Sequence, residues 1–80
     1  MRITLLARDD LIRIKREFRD YDGQKFEAGR ELRYFDGSYF PYDAGHTLTF
    51  AGVVMRLSEN VDEDLLVIEN EGEEYFELIK

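Results

Sequence analysis

The placement of six glycines, at positions 23, 29, 37, 45, 52 and 72, constrains this chain more than any other feature. Between Gly23 and Gly52 no glycine-free stretch exceeds seven residues, so short strands joined by tight turns are expected there rather than long helices. Asp22-Gly23 and Asp36-Gly37 have the composition of turns. Apolar alternation fills the gaps: Leu32 and Tyr34 against Arg33 and Phe35, Leu48 and Phe50 against Thr47 and Thr49, and Val53, Met55 and Leu57 against Val54 and Arg56. Ala51-Gly52 then closes a tight hairpin. The run Leu65-Leu66-Val67-Ile68, flanked by Asp64 and Glu69, predicts a central strand covered on both faces. Glu73 to Ile79 fits a strand or a single helical turn, because Tyr75, Phe76 and Ile79 also meet helical spacing.

The first element, Leu11 to Phe18, reads two ways. As a strand it places Ile12, Ile14 and Phe18 on one face, and Arg16 on that face must snorkel or mark a bulge. As a helix it gives the stripe Ala7, Leu11, Ile14, Phe18 and Tyr21, with Asp9 and Asp10 suited to its start and Gly23 to its exit.

With 80 residues and no cysteine, the chain is expected to form one domain, residues 1–80, held by packing alone. Disulfides, zinc-thiolate clusters and thiol nucleophiles are excluded. A domain this small buries only about 60% of its unfolded surface, which leaves little chain for a large catalytic cleft. No enzymatic activity and no cofactor are expected. Met1 to Arg8 offers only Ile3, Leu5, Leu6 and Ala7 as apolar residues, too few for a signal-peptide core or a membrane span, so a cytoplasmic protein without membrane contact is expected.

The net charge of -7 is unevenly distributed. Residues 1–40 hold 9 basic and 8 acidic side chains, whereas residues 41–80 hold 2 basic and 10 acidic ones. From Leu57 to Ile79 there is no Lys or Arg, while Glu59, Asp62, Glu63, Asp64, Glu69, Glu71, Glu73, Glu74 and Glu77 supply nine carboxylates. That balance argues against a nucleic-acid partner, since phosphate affinity depends on clustered Lys and Arg. It leaves two readings, a solubilising face or an acidic patch that docks on a basic protein.

Site motifs are sparse. Asp20, Asp22 and Glu31, and separately Asn60, Asp62, Asp64 and Glu71, imitate calcium loops, but Lys25 and Leu65 stand where those loops need glycine. No metal site is expected. His46 is the only histidine and has Asp43 nearby, yet neither Ser38 nor Ser58 sits in a nucleophile-elbow pattern. The densest feature is aromatic: Tyr34, Phe35, Tyr39, Phe40 and Tyr42 lie within nine residues. They fill a core, or some of them form an exposed ledge for a peptide or a protein surface.

Phe18-Arg19-Asp20-Tyr21-Asp22-Gly23, Ala28-Gly29-Arg30-Glu31-Leu32 and Tyr39-Phe40-Pro41-Tyr42-Asp43-Ala44-Gly45-His46-Thr47-Leu48 carry a resemblance. Together they look like a bacterial family of roughly eighty residues described as a domain of unknown function, with Phe-Pro-Tyr-Asp-x-Gly as its sharpest motif. The resemblance implies a mainly all-β fold, a small, strongly bent barrel of the Src-homology-3 type. It would have five or six short strands and a short helix at either end, with Leu11 to Phe18 extended. It brings no catalytic residues. The expected function is a small acidic interaction module, of the inhibitor or immunity type, that covers a basic protein surface. Its binding residues would be Tyr39, Phe40, Tyr42, Glu59, Asp62, Glu63 and Asp64. The alternative is a peptide- or small-ligand-binding barrel using Tyr34 to Tyr42. A monomer or a weak homodimer paired through an open strand edge is expected.

Overall fold

The computed structural model describes residues 1–80. Its strands are β1 (Leu11–Ile14), β2 (Phe18–Arg19), β3 (Lys25–Phe26), β4 (Glu31–Phe40), β5 (Gly45–Phe50), β6 (Val53–Ser58) and β7 (Phe76–Leu78), with one helix, α1 (Asp62–Glu69), and 3-10 turns at Ile3–Leu5 and Glu71–Glu73. Five strands form one antiparallel sheet in the order β6-β5-β4-β1-β7, and β2 and β3 form a separate hairpin. The fold is mainly β, as expected. No closed barrel is found: β6 and β7 stand at opposite ends of the ladder.

Alternation sets the core. Ile12, Ile14, Leu32, Tyr34, Leu48, Phe50, Met55 and Leu57 point inward from β1, β4, β5 and β6, and Phe18, Phe26, Val67, Ile68, Tyr75, Phe76, Ile3 and Leu6 close over them. The strand reading of the first element holds over Leu11–Ile14, because both edges of that segment are paired: Ile12 faces Leu32 of β4 and Leu78 of β7. The strand does not run on to Phe18: Arg16 lies at a bend between β1 and β2 and is exposed, with its guanidinium 5.2 Å from the centre of the Tyr75 ring. Ala51-Gly52 forms the two-residue turn between Phe50 and Val53, with Gly52 at φ 81°.

Two local expectations are corrected. Leu65 to Ile68 is not a central strand but the body of α1, with Asp64, Val67 and Ile68 buried and Leu66 more than half exposed. That is a helical period, started by Asp62, Glu63 and Asp64 in the first turn, where carboxylates face the positive end of the helix dipole. Asn70, in the left-handed region at φ 45°, ends the helix. Asp36-Gly37 is likewise not a turn. Both residues lie inside β4, opposite Thr49 and Leu48. Glycine is needed there for close approach, since a Cβ at position 37 would run into the Tyr34 hydroxyl and sit 3.2 Å from Leu48 Cδ2. A bulge at Phe35 bends β4. Its first residues therefore pair with β1 and the rest with β5. The chain reverses only at Pro41–Ala44.

Both sheet edges are capped by side chains. On the outer side of β6, Gln24 Nε2 donates to Val54 O (2.8 Å), and Arg56 N–H donates to Asp20 Oδ2 (3.1 Å). Tyr21 N–H donates to Arg56 O (2.7 Å), and Ser58 N–H donates to Asp64 Oδ2 (3.0 Å). Asp20 and Asp64, both nearly fully buried, thus stand in for a neighbouring strand. At β7, buried Asn70 does the same, accepting from Phe76 N–H and donating to Phe76 O. No helix is long and apolar enough to cross a membrane.

Candidate functional site

The aromatic stretch and the acidic stretch, separate in sequence, meet at one corner of the sheet. Pairing of β5 with β6 sets Gly45 opposite Ser58. Beyond that pair, Glu59 N–H donates to Ala44 O (2.9 Å) and the Ser58 hydroxyl donates to Asp43 O (3.0 Å). His46 Nε2–H donates to Glu59 Oε2 at 2.6 Å, so the carboxylate fixes the ring tautomer. The loop after β4 is therefore tied to the segment that leads into α1.

Each expected residue has a definite place there. Tyr42 is fully exposed, and Phe40 and Tyr39 are 58% and 49% exposed; as consecutive residues of β4, Tyr39 and Phe40 point to opposite faces of the strand and do not form one ledge. Tyr39 also packs against His46, its cross-strand partner, with ring centres 4.7 Å apart and the ring planes tilted by 43°. Asp62 and Glu63 are exposed in the first turn of α1. Glu59 is engaged with His46. Asp64 is not on the surface; it is 3% exposed and spends its carboxylate on Ser58 N–H. Burial is the main cause that raises its pKa from the ordinary aspartate value. The Ser58 N–H opposes this, and the charges of Asp20 and Glu63 add to it.

Two hollows flank His46. One is a notch of about 20 Å³ lined by Tyr21, Phe40, Asp43, His46, Thr47 and Arg56, enough for the tip of one side chain. Its rim is charged, because Arg56 bonds Asp22 at 3.2 Å while lying 6.0 Å from the Tyr21 ring centre. The other, about 230 Å³, lies between Thr4 and the β4–β5 pair and is lined by Tyr34, Gly37, Ser38, Tyr39, His46 and Leu48. Sequence reasoning missed Tyr21, Arg56 and Thr4. Tyr21 and Arg56 meet only because the β2–β3 hairpin lies along β6, a non-local contact with no short-range signal.

The remaining carboxylates of the second half are partly neutralised from the first. Glu69 faces Arg2 (4.0 Å), Glu74 bonds Arg16, and Glu77 faces Arg13 and Lys15 (3.9 and 4.0 Å). The uncompensated charge near the corner is that of Asp43, Asp62 and Glu63.

No protein-family model matches the chain, and no curated protein matches it. Among solved structures the fold is similar to an integron cassette protein from the mobile metagenome of Vibrio cholerae, with a TM-score of 0.80, 22% identity, and coverage of 95% of this chain and 88% of that one. At that identity the likeness is one of fold.

Proposed function

We propose that this protein is a binding module whose contact surface is the corner formed by Phe40–Ala44 and Glu59–Glu63, and that its partner is a basic protein segment. The observation that carries the reading is the backbone tie between Ala44 and Glu59, which joins the loop bearing exposed Phe40, Tyr42 and Asp43 to the segment that leads to exposed Asp62 and Glu63. An arginine or lysine approaching this corner finds an aromatic face and a carboxylate together, a pairing suited to cation–π contact plus long-range attraction. The notch beside Phe40 admits one side-chain tip, which favours a protein surface over a free ligand at this corner. The order β6-β5-β4-β1-β7, with a hairpin inserted after β1 and a helix before β7, also supports a Src-homology-3-like arrangement. We read the capped edges as favouring a monomer.

The test is an amide-resolved NMR titration with a short arginine–serine peptide and its aspartate–serine counterpart. The arginine peptide is expected to shift amides of residues 40–47 and 58–63, with binding weakened about tenfold as salt rises from about 0.05 to 0.2 M. Tyr42→Ala should weaken it about fivefold. Equal response to the aspartate peptide, or shifts confined to another face, would overturn the reading.

A further inference from the structure

The larger hollow shares only His46 with the lining of the notch at the acidic corner. Its floor is Leu48 and the Tyr34 ring, and that ring is locked edge-on against Phe50 with centres 5.5 Å apart. Tyr34 is 92% buried, given its 8% exposure. Its hydroxyl nevertheless makes no hydrogen bond within the protein and lines the hollow. The hydroxyl is not sealed in: no buried side-chain polar atom of the protein lacks a partner, so this one opens onto the hollow and is free to bond a guest there. Gly37 is what leaves room for it: any side chain there would collide with that hydroxyl. Thr4 and Ser38 bring two more hydroxyls, and the half-exposed Tyr39 ring, braced by His46, supplies a flat wall.

We propose that this hollow binds a small neutral ring bearing several hydroxyl groups, a monosaccharide, with its apolar face on Tyr39 and a hydroxyl on Tyr34. Each part of that description follows from the lining. Hydroxyl groups donate and accept at once, so three of them match a polyol without requiring a fixed pattern. No Asp, Glu, Lys or Arg lines the hollow. The one basic group is His46, whose Nε2 is already taken by Glu59. A charged ligand would be desolvated there without a counter-charge, and the net charge of -7 disfavours anions further. At about 230 Å³ the hollow falls below the roughly 300–1,000 Å³ of drug-sized sites, so it takes one ring rather than a chain. Burial, and then the Asp36 charge, push the Tyr34 pKa up, which keeps the hydroxyl protonated and able to donate.

The experiment titrates the labelled protein with glucose, galactose, ribose and N-acetylglucosamine, and in parallel with the charged analogues glucuronate and glucosamine, reading amide shifts. At least one neutral sugar is expected to give saturable shifts at Thr4, Gly37, Ser38 and Leu48. Tyr34→Phe keeps the ring and its packing, and should weaken binding about fivefold, while Tyr39→Ala should abolish it. Both variants are checked for a native spectrum first. If Tyr39→Ala fails that check, Tyr39→Leu, which keeps bulk but no flat face, replaces it with the same expectation. The proposal is overturned if no neutral sugar saturates, if the charged analogues bind equally well, or if Tyr34→Phe leaves the affinity unchanged. None of these outcomes depends on the arginine-peptide response at the other corner.

Discussion

Asp64 shows how one side chain serves two structural ends. It sits in the first turn of α1 and accepts from Ser58 N–H on the edge of β6, so it joins helix and sheet at the cost of burying a carboxylate. Because its folded pKa is raised, by burial first, the folded state takes up a proton more readily than the unfolded one. The stability contributed by this group is therefore fully present below the unfolded pKa, and it is lost as pH rises through the ordinary carboxylate range to the raised folded value. Asp64→Asn keeps an acceptor for Ser58 and removes the charge. Its stability relative to wild type is expected to be greater at about pH 7 than at about pH 3.5. Chemical denaturation at both values checks this, and an unchanged difference would refute it. In the sequence Asp64 looked like one carboxylate among nine. Nothing local distinguishes a carboxylate that faces solvent from one that the β6 edge will demand.

Among the elements, strands were legible where one face is buried and the other wet: β4, β5 and β6 follow their alternation, and the Ala51-Gly52 turn follows from its dipeptide. α1 was misread because four consecutive apolar residues carry no period of their own, and its true signals lie outside the run, in Asp62-Glu63-Asp64 before it and Asn70 after it. Asn70 is the sharper lesson. Its side chain accepts from Tyr75 N–H (2.8 Å) and Phe76 N–H (3.1 Å) and donates to Phe76 O (2.9 Å), while its backbone is left-handed. Asn70→Ala strands three buried backbone groups and strains φ, and should cost about 3 kcal/mol or more. Asn70→Gly tolerates the conformation and should be less destabilising than Ala by about 1 kcal/mol. Urea melts of both variants measure the difference, and Gly no better than Ala would sink the conformational part of the argument.

For the whole molecule, the charge asymmetry of the sequence is partly folded away. Arg2, Arg13, Lys15 and Arg16 come from the neutral first half and meet Glu69, Glu74 and Glu77 of the acidic second half. That reunion could not be read from the sequence, since it depends on β1 lying beside β7 and on the N-terminal turn lying against α1. All of these pairs are exposed and each is worth about 0–1 kcal/mol, whereas the net charge of -7 repels itself over the whole surface. Screening should relieve more than it removes. The melting temperature is expected to rise when NaCl goes from about 0.02 to 0.5 M, and a fall would mean that the ion pairs dominate. The candidate corner was half legible: Phe40 and Tyr42 were picked out as residues, and the tie of their loop to Glu59 through Ala44 required the β5–β6 pairing.

The caps on β6 and β7 also shape what mutation can do to this molecule. A neighbouring strand protects an edge with many backbone bonds that no single substitution can delete. Here the protection rests on the side chains of Asp20, Gln24, Asp64 and Asn70 together with one backbone bond from Tyr21. Each is one codon change away from exposing a strip of unpaired strand. The path from a well-behaved module to a self-associating one is therefore short at these four positions and long at most surface positions.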